Sequence, residues 1–239
     1  MLVQHADNEF EGVSLRYRLA LISGFAFGVL MFVKGFLFTP AEPDLGGSAQ
    51  AIEDWLATSR IDWLISIYLE FAAGAFFLVF VAGLYVALRR AGDGSGLLAL
   101  AAFGGGVATI LVSIARLGVE LAFVRVALDG GTPEMLRALG TVARSLQEGL
   151  AFPQGVFWAT ASIAILATRR LPRWIGILGA VGAVSLFVST GTVFDPESPL
   201  GIFGFLVFPL FSIWMLATPV TLLRRSMTRQ PAPQAQPLE

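Results

Sequence analysis

Six long apolar runs organise the chain: Tyr17–Phe38, Trp63–Leu88, Leu97–Phe123, Gly149–Thr168, Trp174–Phe194 and Leu200–Leu223. A helix needs about 20 mainly apolar residues to cross a hydrocarbon core of roughly 30 Å, and each run meets that length. Barrel strands would alternate polar and apolar residues over runs of about 10, whereas these runs are continuous and twice as long. In lipid only helices and closed barrels satisfy every backbone hydrogen bond, so the runs are predicted to be helices. The expected fold class is all-α, a polytopic membrane protein built as a six-transmembrane-helix bundle over residues 17–225. A cytoplasmic N-terminal arm (1–16) precedes it. A tail (226–239) rich in proline and glutamine reads as disordered.

The connections alternate in length. Arg89–Gly96, Arg169–Arg173 and Asp195–Pro199 are short and predict hairpins, while Thr39–Asp62 and Val124–Glu148 are long and fall on the same side. Each long loop carries helical periodicity. In the first, Ile52, Trp55 and Leu56 recur at helical spacing with Glu53 and Asp54 opposite, the pattern of a short amphipathic helix. In the second, Thr132-Pro133-Glu134 is an N-cap followed by a proline-tolerant position and an acidic one, and Leu136, Leu139, Val142 and Leu146 form an apolar face. Two short amphipathic helices in the outer loops are therefore expected. They either cap the bundle or bind a membrane-protein partner, and their narrow faces beside the spans favour capping.

Composition agrees with a chain that faces lipid. Of 239 residues, 56% are hydrophobic and 14% charged, against about 25% charged in an ordinary soluble domain. The net charge of −1 predicts no nucleic-acid partner, and the absence of cysteine excludes disulfides and thiolate-held metals. Basic residues set the orientation. Arg16 and Arg18, Arg89 and Arg90, Arg169, Arg170 and Arg173, and Arg224, Arg225 and Arg229 all cluster at helix ends on one face, which the positive-inside rule makes cytoplasmic. Both termini are then cytoplasmic. Asp7, Glu9 and Glu11 precede the first span, so the N-terminus lacks the basic region of a signal peptide. Arginine outnumbers lysine fifteen to one, a codon bias suited to a bacterium with a GC-rich genome, and the expected location is its inner membrane.

Lys34, Glu70, Arg116 and Glu120 stand inside otherwise apolar spans. A charge at mid-bilayer costs on the order of 2.5–3.5 kcal/mol on insertion scales, so such residues are rarely left facing lipid. Lys34 lies 17 residues beyond Tyr17, Glu70 lies 18 before Leu88, and Arg116 lies 19 beyond Leu97. At a rise of about 1.5 Å per residue, all three sit roughly 26–29 Å from the cytoplasmic ends of their helices. Glu120 follows Arg116 one turn on, on the same face. Gln154 on the fourth span lies about a turn closer to the cytoplasm, Thr190 on the fifth is at similar depth, and Pro153 beside Gln154 removes a backbone donor. Two readings stand. One is an outward-opening polar pocket in which Glu70 bridges Arg116 and Lys34. The other is a structural ion pair that fixes which helices pack together.

Other motifs are weaker. Gly24 and Gly28, the series Gly176, Gly179 and Gly182, and the pair Gly201 and Gly204 have the spacing that lets helices approach closely in lipid. Gly92-Asp-Gly-Ser-Gly96 lacks the strand and lysine of a phosphate loop and reads as a hairpin turn. Gly104-Gly105-Gly106 marks a bend or a tight crossing. The one histidine, His5, lies outside the spans, which excludes bis-histidine haem and histidine-activated serine catalysis there. No metal-ligand spacing occurs in a span, and no cofactor is expected. An enzyme would have to use Glu70, Glu120 or Glu148 as acid or base. Transport by inverted repeats is weakened because the second and third spans carry buried charges while the fifth and sixth carry none.

Arg116-Leu-Gly-Val-Glu120, the stretch from Gly149 to Trp158, and Leu171-Pro172-Arg173-Trp174 ahead of a glycine-spaced span resemble a family of six-helix bacterial integral membrane proteins. That family is a domain of unknown function common in actinobacteria. The resemblance implies an architecture and no activity. The expected function is a non-enzymatic envelope component, either an accessory subunit or a small-ligand-binding protein. The alternative is a small-solute or ion transporter using Glu70 and Arg116, and a lipid-modifying enzyme ranks third.

Overall fold

A computed structural model describes residues 2–38, 49–89, 96–169, 171–193 and 199–228. It contains six α-helices: α1 (Leu2–Leu37), α2 (Ala49–Arg89), α3 (Leu97–Leu128), α4 (Pro133–Thr168), α5 (Arg173–Ser189) and α6 (Gly201–Thr228), with a 3-10 turn at Thr190–Val193. Among the described residues there is no strand. Five helices are long and apolar enough to cross a membrane. The exception, α5, has 17 residues. With its 3-10 extension it reaches roughly 33 Å, still enough for a hydrocarbon core.

The helices are longer than the apolar runs that announced them. The Ile52–Leu56 segment is not a separate short helix but the start of the 41-residue α2, because Ala57–Asp62 contains no glycine or proline to interrupt it. The Leu136–Leu146 segment is likewise the start of the 36-residue α4. The predicted N-terminal arm is helical from Leu2 onward and continuous with the first span. At the other limit, the fifth apolar run stops being α-helical at Ser189. There the Ser189 and Thr190 hydroxyls donate to the Leu186 and Phe187 carbonyls and tighten the last turn. The Gly92–Ser95 turn, the acidic connection around Asp195, and the tail beyond Thr228 lie outside the described residues.

Each helix packs against its neighbours in chain order and α6 returns to α1, so the six form a closed ring, with α2 also touching α4 across it. Glycines set two of the close approaches. At Gly105 a Cβ would lie 2.6 Å from the Phe157 nitrogen and 3.0 Å from the Pro153 oxygen, so α3 and α4 meet backbone to backbone. The glycine triplet is therefore a tight crossing. Gly182 lies flat under the Trp158 indole, where a side chain would enter the ring.

The ring has two unlike halves. Towards the arginine-rich helix ends it is filled by aromatic side chains: Phe27 packs on Phe77 (4.8 Å between centroids), Phe77 on Phe157 (5.3 Å), Phe157 on Trp214 (5.7 Å) and Trp158 on Phe211 (5.3 Å). Phe77, Phe157, Trp158 and Trp214 are fully buried. This plug belongs to one continuous apolar core. At the opposite, acidic end a second small core forms where the extensions of α2, α3 and α4 meet, burying Ile52, Phe123, Val124 and Leu136. Val142, expected on that face, is exposed. Large apolar residues also point outward all round the ring, Phe205 being 82% exposed. In a soluble protein so continuous an apolar exterior would aggregate. It marks a multi-pass membrane protein.

Candidate functional site

Between the aromatic plug and the acidic end the ring surrounds a half-open cavity of about 630 Å³, within the range of small-ligand sites. All six helices contribute to its wall. The charged residues meet there because antiparallel neighbours bring equal heights together. Lys34 lies in the last turn of α1, Glu70 in the middle of α2, and Arg116 four residues before Glu120 on α3.

They form one chain of alternating sign. Lys34 Nζ donates to Glu70 Oε2, Arg116 Nη2 donates to Glu70 Oε1, and Arg116 Nη1 donates to Glu120 Oε1. Each oxygen of Glu70 thus takes a different cation, and one carboxylate ties α1, α2 and α3 together. The side chains are 17%, 11%, 8% and 13% exposed from Lys34 to Glu120, so little water screens them. In that setting each charge depends on its neighbours for compensation.

Gln154 from α4 and Thr190 after α5 also line the cavity, outside the ion-pair chain. Three further wall residues, Arg144, Gln147 and Glu148, come from the α4 extension. Glu148 is an acid or base candidate from the sequence, and Arg144 and Gln147 are residues that the structure adds to the site. Their signal was present: Arg144, Gln147, Ala151 and Gln154 recur every three or four residues and share one face. Among the described residues the ionic lining counts three cations and three anions, Arg144 and Glu148 being exposed.

Towards the plug the wall turns apolar. Met31 and Phe27 lie three and seven residues below Lys34, Phe77 lies seven below Glu70, and Ile110 lies six below Arg116. At the helical rise this apolar well is about 10 Å deep. Thr109 within it gives its hydroxyl to the Gly105 carbonyl at 2.8 Å. Gly74 opens additional room, since a Cβ there would meet only Ile110 Cδ1, at an ordinary 3.7 Å. Among the described residues no group of three His, Cys, Asp or Glu side chains is arranged to hold a metal ion. Compared with protein-family models, curated proteins and solved structures, the chain matches none.

Proposed function

We propose that this chain is a multi-pass protein of the bacterial cytoplasmic membrane, with both termini in the cytoplasm, that binds a small ligand in the cavity between its helices. The observation that carries this reading is the cavity itself: about 630 Å³ held open around four buried charges inside a closed ring. A purely structural ion-pair chain needs no space beside it. The arginine-rich helix ends support the orientation, which turns the cavity towards the outer face. The apolar residues of the outer segments, Ile52 and Leu136 among them, are spent on the chain's own second core. This favours the ligand-binding form of the reading over the accessory-subunit form. Transport would require a path through the aromatic plug, where Phe77, Phe157, Trp158 and Trp214 are packed without exposure.

Gly74→Phe tests the proposal, because Gly74 lines the cavity and a Cβ there meets only Ile110 Cδ1, at 3.7 Å. Protein released from its own membranes in mild detergent is expected to carry a small molecule in native mass spectrometry, and the variant is expected to lose it while remaining folded. Equal occupancy in the two proteins would defeat the reading. Solute flux through wild-type protein in liposomes would replace it with the transporter alternative.

A further inference from the structure

Resting on the ligand-binding reading, we infer that the cavity takes an amphiphile of zero net charge, with a dipolar or hydroxyl- and ester-bearing head at the Lys34–Glu70–Arg116–Glu120 chain and an apolar tail in the well beneath it. Two features of the wall lead there. The first is charge balance. Lys34 and Arg116 are matched by Glu70 and Glu120 within one hydrogen-bonded chain, and the exposed Arg144 and Glu148 on the facing helix add one charge of each sign. A ligand with a net charge would bring an uncompensated ion into a site that already balances, and in a poorly screened interior that is strongly unfavourable. A head with internal charge separation, or with neutral oxygens and hydroxyls, meets alternating donors and acceptors instead.

The second feature is the change of wall chemistry with depth. Phe27, Met31, Phe77, Ile110, Leu186 and Phe211, from five different helices, line the region on the plug side of the charges. Gln154 is a polar residue in the same wall, and it is uncharged. A freely soluble polar solute would leave this well filled with weakly held water. A medium-length acyl or alkyl chain exchanges that water for apolar contact, and each methylene buried adds to the affinity. Its head then lies on the side away from the plug, where Arg144, Gln147 and Glu148 border the same space.

The test compares probes that share a ten-carbon tail and differ in the head: decanoylglycerol (uncharged), decylphosphocholine (zwitterionic), decanoate (anionic) and decyltrimethylammonium (cationic). Binding to the full-length protein in nanodiscs is measured below each probe's micelle concentration. The first two are expected to bind at least about tenfold more tightly than either charged probe, and glycerol or phosphocholine alone to bind far more weakly. Two variants then move the charge balance in opposite directions. Glu120→Gln leaves the site one unit positive and is expected to favour decanoate, whereas Lys34→Met leaves it one unit negative and is expected to favour decyltrimethylammonium, each by about tenfold over wild type. If one variant fails to fold, the other still decides.

The inference is overturned if a charged probe binds wild type as well as the neutral ones, if tail-less heads bind equally, or if the folded variants keep wild-type selectivity. Those results leave the ligand-binding reading standing. If no probe binds wild type better than it binds Gly74→Phe, both fail together.

Discussion

Glu70→Gln is the perturbation most informative about the four-charge chain. Glu70 is the inner anion, and each of its oxygens is engaged by a different cation, Lys34 Nζ and Arg116 Nη2. The amide that replaces it keeps the shape and removes the charge. Lys34 and Arg116 then face each other across a neutral group, with only Glu120 left to compensate them. Removing one partner of a buried ion pair typically costs about 3–5 kcal/mol. For a chain of this size each kcal/mol moves the melting temperature about 2–4 °C, so the expected fall is about 6–20 °C. The instructive comparison is the double variant Lys34→Met/Glu70→Gln. It removes a cation and an anion together, keeps the Arg116–Glu120 pair, and returns the cluster to zero net charge. It is expected to lie within about 1 kcal/mol of wild type, and so to be more stable than the single variant from which it differs by one further substitution. The assay is intrinsic tryptophan fluorescence on heating in detergent, at a fixed scan rate because membrane proteins often unfold irreversibly. Two results would refute the reasoning: a Glu70→Gln protein that melts with wild type, or a double variant that melts at or below the single one.

Two further expectations concern the frame around the site. Gly105→Ala should destabilise by about 1–3 kcal/mol, because its new Cβ meets the backbone of α4, whereas Gly104→Ala, with nothing within 4 Å, should be neutral or stabilise by about 0.5–1 kcal/mol. Equal melting temperatures for the two would contradict the crossing described here. Because the chain has no cysteine, single cysteines report sidedness without background. Asp129→Cys is expected to react with a membrane-impermeant maleimide in intact cells, and Arg89→Cys only after permeabilisation. The reverse pattern would invert the proposed orientation.

The meeting of Lys34, Glu70 and Arg116 was legible in the sequence because helical rise is constant. Counting residues from the basic helix ends gave a common height, and ring closure supplied contact between neighbours. Glu120 was legible from its spacing to Arg116 alone. Arg144 and Gln147 were not recognised, for a specific reason. Hydropathy falls below the membrane threshold before Gly149, so hydropathy alone places the stretch in a loop. What extends a helix beyond lipid is the scarcity of breakers together with an N-cap, here Thr132, whose hydroxyl accepts from the Met135 amide at 3.4 Å. Once α4 is allowed to start at Pro133, the polar face Arg144–Gln147–Gln154 follows from periodicity. The aromatic plug had no comparable signal. Phe27, Phe77, Phe157 and Trp214 sit on four helices with no mutual spacing, and which faces meet depends on how each helix is rotated about its axis.

The plug also has an electrical consequence. In a polarised bilayer the voltage falls across the part that excludes water, and here that part is the packed aromatic half of the ring. The chamber above it is half open towards the other side and lies outside that packed part. Carrying an elementary charge across the whole membrane involves roughly 2.3 kcal/mol per 100 mV. A group entering or leaving the chamber would cross only a small fraction of that drop, so occupancy should be nearly indifferent to whether the cell is energised.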